Sequence, residues 1–126
     1  VDIMTAVAAK IAGPTIPPGR IFGSGTCLDS SRLQSLLAKG LHLDAQSVQG
    51  YVIGEHGDSS VAVWSSVRIG GVPMMVPTTA ADGDGDNKEQ PPSEMLQAMH
   101  RQVIESAGHV IRQKGCTNWA IGLTGA

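Results

Sequence analysis

Aromatic residues are nearly absent from this chain of 126 residues: Phe22, Tyr51, Trp64 and Trp119 are the full complement. Any core must therefore be built from Val, Ile, Leu, Met and Ala. Cysteine is equally scarce. Cys27 and Cys116 form no C-x-x-C pair, so they read as two free, buried thiols of an intracellular protein, with a single disulfide as the alternative. Positive charge is sparse as well: nine Lys and Arg face eleven Asp and Glu, a net charge of −2. No basic face is dense enough for a nucleic-acid footprint. No apolar run is long enough to span a membrane as a helix. The first residues lack the basic and apolar stretches of a signal peptide. The expected compartment is the cytoplasm.

What remains is ordinary for a globular domain. The length suits one domain, and a chain this long buries roughly two-thirds of its unfolded surface. Hydrophobic residues make up 41%, which excludes a disordered chain. The chain opens on Val1-Asp2-Ile3-Met4 inside a helical pattern with no cap before it, and it closes on Leu123-Thr124-Gly125-Ala126 soon after a new helix begins. Such ends are expected of a piece of a longer protein.

Hydrophobic spacing predicts the elements. Ile3, Ala6, Val7, Lys10 and Ile11 follow the helical period up to a stop at Gly13-Pro14. After a turn-rich connection, Ile21-Phe22-Gly23 reads as a short strand. Leu28, Leu33, Leu36 and Leu37 mark a helix over 27–39, stopped at Gly40. Tyr51-Val52-Ile53 and Val61-Ala62-Val63-Trp64 read as strands on either side of residues 54–60. Residues 67–69 and 72–76, separated by Gly70-Gly71, predict a hairpin. The polar stretch 77–92 predicts a mobile loop. Ser93 can cap a long helix with the buried stripe Leu96, Met99, Val103, Ala107, Val110 and Ile111, weakened at Gly108 and ended at Gly115. No internal repeat is present. Strands with turns, flanked by helices at both ends, predict an α+β unit.

Three groups of residues could carry chemistry. Asp29 and Arg32, three apart, share one helical face. The plain reading is a surface ion pair. In the functional reading Arg32 grips a carboxylate through two parallel hydrogen bonds, while Asp29 holds another group. His56 lies in Gly54-Glu55-His56-Gly57-Asp58-Ser59. Histidine can give or take a proton near neutral pH, and the flanking glycines leave the ring uncrowded; the plain reading is a solvated loop residue. Thr117, followed by Trp119 and Ile121, offers a hydroxyl before a helix, either as a cap or facing a ligand. His42, His100 and His109 have no such surroundings and read as solvated or partly packed. Asp82, Asp84 and Asp86 start like a calcium loop, but Asn87 and Ser93 stand where that loop needs Gly and Glu. No metal site is expected.

Taken together these segments resemble the L-lactate dehydrogenases of the lactate/malate dehydrogenase family. The likeness runs through Val1-Asp2-Ile3-Met4-Thr5, Gly23-Ser24-Gly25-Thr26-Cys27-Leu28-Asp29-Ser30-Ser31-Arg32, Gly54-Glu55-His56-Gly57-Asp58-Ser59-Ser60 and Thr117-Asn118-Trp119-Ala120-Ile121-Gly122-Leu123. The resemblance implies a C-terminal substrate domain over 21–126, with antiparallel sheets flanked by helices. Residues 1–20 would be the last helix of an NAD-binding Rossmann domain that lies outside the chain. It implies His56 as proton donor and acceptor on the substrate oxygen, Asp29 holding the far ring nitrogen, and Arg32 clamping the substrate carboxylate. Thr117 would line the substrate pocket, and Ile121 would be an apolar neighbour of the nicotinamide. The implied cofactor is NAD, the implied substrates pyruvate and L-lactate in glycolysis and fermentation, and the implied assembly a homotetramer.

Several features depart from the family pattern. The dinucleotide-binding glycine fingerprint and the mobile loop that polarises the carbonyl are absent from the chain. Gly108 stands where the family usually has Tyr. Gln34 and Gln49 stand where the sugar-bisphosphate-activated bacterial members carry Arg and His. Malate and 2-hydroxyisocaproate dehydrogenases share much of the pattern and are the competing readings. A reading of another class is an inactive remnant that only binds a partner subunit.

Overall fold

The computed structural model describes residues 1–17, 19–74 and 93–124. The helical spacing near the N-terminus produces α1 (Asp2–Ala12), which ends where Gly13 takes φ 56° and Pro14 follows. None of its residues is buried. Residues 21–23 form no strand, contrary to the sequence expectation, and Phe22 is 81% exposed. A strand needs a partner for its backbone groups, and no described strand pairs with this stretch.

Helix α2 (Cys27–Leu41) is the centre of the packing. Leu33, Leu37 and Ala38 are buried along one face, at the one-turn spacing that aligns side chains on a helix. Cys27, Ser31 and Ser35 lie along the exposed face. The expectation of buried thiols is therefore corrected: Cys27 and Cys116 are free, but both are exposed. The helix also runs through Gly40 instead of stopping there. A Cβ at residue 40 would lie 2.7 Å from Met99 Cε, so glycine here leaves room for the end of that α3 side chain. The stop comes at His42, in the left-handed region at φ 56°, where Leu43 N–H donates to Ala38 O at 2.9 Å. Histidine is among the residues that tolerate that conformation.

Five short strands follow: β1 (Val48–Gln49), β2 (Val52–Ile53), β3 (Val61–Ala62), β4 (Arg68–Ile69) and β5 (Val72–Pro73). β1, β4 and β5 form one antiparallel sheet in that order, and β2 pairs with β3 in a second. The hairpin expected around Gly70-Gly71 is present, with Ile69 opposite Val72. Both glycines have positive φ, 57° and 83°, as a two-residue turn matching strand twist requires. β1 escapes a reading of spacing because it is two residues long, and Trp64 belongs to a 3₁₀ turn (Trp64–Ser66) instead of to β3. Residues 75–92, with the expected loop and Asp82, Asp84 and Asp86, lie outside the described residues.

Helix α3 (Glu94–Lys114) ends at Gly115, φ 81°, as its sequence predicts. Ser93 occupies the position before the helix without a capping bond; its hydroxyl is turned inward, buried, with no partner among the described residues. Only Leu96 and Val103 of the expected stripe are fully buried. They join Leu33, Leu37, Val48, Val52 and Val67 in one core between α2 and the strands, where each large side chain contributes roughly 1.5–3 kcal/mol. Met99, Ala107 and Val110 are half-buried and Ile111 is exposed. A short α4 (Trp119–Thr124) closes the described chain. Among the described residues no helix is long and apolar enough to cross a membrane. The fold class is α+β, with antiparallel sheets flanked by helices.

Gly108 sits inside α3, where a Cβ would meet only Arg112 Nη1, at 3.4 Å. That guanidinium is the far end of a flexible side chain. Gly108→Ala should therefore stabilise the chain by about 0.5–1 kcal/mol through lost freedom in the unfolded state. Urea unfolding of the two forms measures this, and a lower midpoint for the alanine form would show that α3 needs the gap.

Candidate active site

The site begins with the way α2 meets β2. Thr26 stands at the N-cap of α2, yet its hydroxyl makes no cap bond and donates instead to Val52 O at 2.6 Å. One turn later the buried Ser30 Oγ accepts the Val52 N–H at 2.9 Å and donates to Thr26 O at 2.9 Å. Two hydroxyls thus clasp both backbone groups of one strand residue. Gln34 extends the seam, donating from Nε2 to Gly50 O at 3.0 Å. Gln49 lies exposed in β1.

Asp29, between these two hydroxyls in sequence, is 5% exposed. A buried carboxylate is costly unless it is paired, and Asp29 has two partners. Its Oδ2 lies 2.5 Å from His56 Nδ1, and its Oδ1 lies 3.4 Å from Arg32 Nη1. The ion pair that the spacing of three suggested is therefore real but long. The short contact goes to a residue 27 positions away. Asp29 can hold the imidazole by one nitrogen and leave Nε2 free to exchange a proton. The loose contact to Arg32, whose side chain is 19% exposed, leaves the guanidinium able to turn to an anion.

His56 sits in the connection between β2 and β3. The antiparallel pairing of Val52 with Ala62 and Ile53 with Val61 sets its two ends. Within the connection, Ser59 Oγ donates to Glu55 Oε2 at 2.6 Å and Ser60 N–H to Gly57 O at 3.1 Å. At its far end Ser60 Oγ and His100 Nε2 share a hydrogen bond of 3.2 Å. Burial pushes the His100 imidazole below its ordinary pKa, against the opposing pull of the nearby Asp29 carboxylate.

Arg32, His56, Thr117 and Ile121 all line one cavity of about 280 Å³. Asp29 stands behind His56, outside the lining. The wall is completed by Leu28 of α2, by Ala107, Val110 and Lys114 of α3, and by Trp119 and Ala120 of α4. Its lining combines two cations, Arg32 and Lys114, with the apolar Leu28, Ala107, Val110 and Ile121. That distribution suits a small carboxylate with an apolar or neutral remainder. A wider groove of about 760 Å³ between α2 and α3 shares Leu28 and Arg32 but not His56. His56 also borders an outer cavity of about 480 Å³ with Val1, Asp2, Ile3, Gly54 and Glu55, but only the 280 Å³ cavity brings it together with Arg32. Among the described residues no group of His, Cys, Asp and Glu could hold a metal ion.

Residues 26–126 match the family model of the lactate/malate dehydrogenase α/β C-terminal domain. The chain belongs to the lactate/malate dehydrogenase family. It is 47% identical over 126 residues to the L-lactate dehydrogenase A chain of Sceloporus undulatus, covering 98% of this chain and 35% of that protein. The L-lactate dehydrogenase of Zea mays is 48% identical over 122 residues, 97% of this chain and 32% of its own length. The Fundulus heteroclitus A chain is 45% identical over 126 residues. The chain thus spans about a third of the length of these relatives.

Within this family domain, the sequence reading missed Ser30, Lys114 and the second role of α3. Ala107, Val110 and Lys114 follow one another at spacings of three and four, which puts them on one face. Spacing alone assigned Ala107 and Val110 to the core, whereas they line the cavity. Ser30 carried no signal, since a serine in a helix reads as surface until a strand is found against it.

Ser30→Ala leaves the buried Val52 N–H without a partner and should cost roughly 1–3 kcal/mol. The exposed Ser31, whose hydroxyl donates to Cys27 O within the same helix, is the control, and its alanine variant should lie close to the parent. Chemical denaturation of both forms decides the matter; equal midpoints would mean that the clasp on β2 is not needed.

Proposed function

We propose that this chain is the acid/base and substrate-carboxylate half of an NAD-dependent L-lactate dehydrogenase. The observation that carries the reading is the junction at Asp29, which touches His56 and Arg32 while both line the same cavity. The carboxylate of a 2-oxo acid takes the fork of Arg32 through charge-assisted hydrogen bonds. The C2 oxygen faces His56 Nε2, and Asp29 keeps the ring proton on Nδ1 and stabilises the imidazolium. In reduction His56 gives its Nε2 proton to the C2 oxygen; in oxidation it takes the hydroxyl proton back. Thr117 faces the substrate as a hydroxyl on the cavity wall.

Val1, Ala120 and Ile121 offer an apolar seat on that wall, which fits the nicotinamide end of the cofactor. The bound nicotinamide supplies the hydride. The chain has no G-x-G-x-x-G segment to cradle the cofactor's phosphates. Residues 1–20 are proposed as the end of the nucleotide-binding domain and 21–126 as the substrate domain, working in a homotetramer. Lys114 gives the malate-type reading its one foothold, since a second cation could hold a second carboxylate. The names of the relatives and the apolar faces of Ala107, Val110 and Ile121 favour pyruvate, and comparing rates on pyruvate and oxaloacetate separates the two.

In the complete enzyme that carries this chain, His56→Asn should nearly abolish pyruvate reduction and leave NADH binding intact. Arg32→Lys keeps the charge and loses the fork; a lost charge-assisted bond of roughly 1.5–3 kcal/mol lowers kcat/KM by ~10- to 150-fold. Steady-state kinetics reads both, and a fully active His56→Asn enzyme would remove this histidine from the chemistry.

The 126-residue chain by itself should neither turn over pyruvate nor bind NADH tightly, because the adenosine and phosphates have no seat in it. A fluorescence titration with NADH tests this; saturation at low micromolar concentration would place the cofactor site within these residues.

A further inference from the structure

The connection over 54–60 is soft by composition. Gly54 takes φ 88° and Gly57 follows His56 directly, and glycine leaves a backbone free to wander. The flanking strands are two residues each and hold little by themselves. His56 nevertheless has to keep its ring between Asp29 and the cavity. Among the described residues, three side chains from outside the connection make polar contacts with it. Asp29 holds the ring. Asp2 Oδ2 lies 3.5 Å from the His56 N–H, at the outer margin of a hydrogen bond. His100 binds Ser60 Oγ at 3.2 Å, and Ser60 is buried.

We infer that His100 is a positioning residue for His56: through Ser60 it pins the far end of the 54–60 connection to α3. The consequence lies in the helix that does the pinning. α3 carries His100 and, two to four turns further on, the cavity wall at Ala107, Val110 and Lys114. One bond therefore ties the histidine's segment to the element that bounds the substrate space, so the distance from imidazole to wall is set by a rigid helix. The uncharged state that burial favours for His100 also suits the position. A second imidazolium there would compete with His56 for the charge of Asp29.

The inference rests on His56 being the acid/base group, and its test separates the two ideas. In the complete enzyme, His100→Leu, His100→Gln, Ser60→Ala and the double variant Ser60→Ala/His100→Leu are compared, with His56→Asn as reference. A misplacement of the order of 1 Å costs up to ~10²-fold, so His100→Leu and Ser60→Ala should each lower kcat by ~10- to 100-fold with the KM for NADH unchanged. The double variant should be no slower than either single one, because both remove the same bond. His100→Gln, whose amide nitrogen can take the place of Nε2, should keep most of kcat. Unchanged kcat in His100→Leu, equal losses in the Leu and Gln forms, or losses that multiply in the double variant would each overturn the inference. Should His100→Leu fail to fold, Ser60→Ala carries the same comparison. If His56→Asn proves active, the acid/base reading of His56 falls, and the brace is read instead in the complete enzyme from imidazole nitrogen NMR shifts. The His56 ring should then carry its proton on Nδ1 in the parent and Gln forms and become a tautomer mixture in Ser60→Ala. Identical His56 rings in all three would overturn it.

Discussion

Thr26 and Ser30 hold both backbone groups of Val52, and the rest of the site depends on that seam. Asp29 lies between these two serine and threonine positions on the first turns of α2. Once they are fixed against β2, its carboxylate has nowhere to go but the narrow space beside the β2–β3 connection. Burial there would be unfavourable for an isolated charge. It is tolerated because His56 and Arg32 meet the two carboxylate oxygens from different directions. A polar clasp thus places a buried acid, and the acid organises a base and a cation.

The architecture divides labour between the two ends of its long helices. The first half of α3 fills the core through Leu96 and Val103 while its second half walls the cavity through Ala107, Val110 and Lys114. α2 does the reverse, presenting its polar first turns to the site and its Leu33, Leu37 and Ala38 to the core. Packing at one end of each helix therefore sets geometry at the other. Gly40 on α2 leaves room for the Met99 side chain of α3 where the two helices face each other.

Large apolar side chains remain exposed on α1, at Phe22 and along α4, with Ile3, Phe22, Trp119 and Leu123 each about four-fifths exposed. The four lie on stretches outside the packed core formed by α2, α3 and the strands. The chain spans about a third of its relatives' length.

Much was legible in the sequence because it depends on neighbours along the chain. The period of Leu33 and Leu37, the Gly70-Gly71 hairpin and the Gly115 stop are all local events, and the α+β class follows from them. The candidate residues Asp29, Arg32, His56, Thr117 and Ile121 were marked by residue type, spacing and family resemblance. Their convergence was not legible in local spacing. Asp29 and Arg32, three apart, predict only an ion pair with each other, and what makes Asp29 more than that is a contact to a residue 27 positions away. The strand expected at 21–23 and the stop expected at Gly40 failed as well. A strand exists only if another pairs with it, and a glycine ends a helix only where it takes the left-handed conformation, which His42 takes here instead of Gly40. Local periodicity determined the helices and the Gly70-Gly71 hairpin; long-range packing decided which short strands pair and which side chains share a cavity, because burial and pairing energies are set by partners that are distant in sequence.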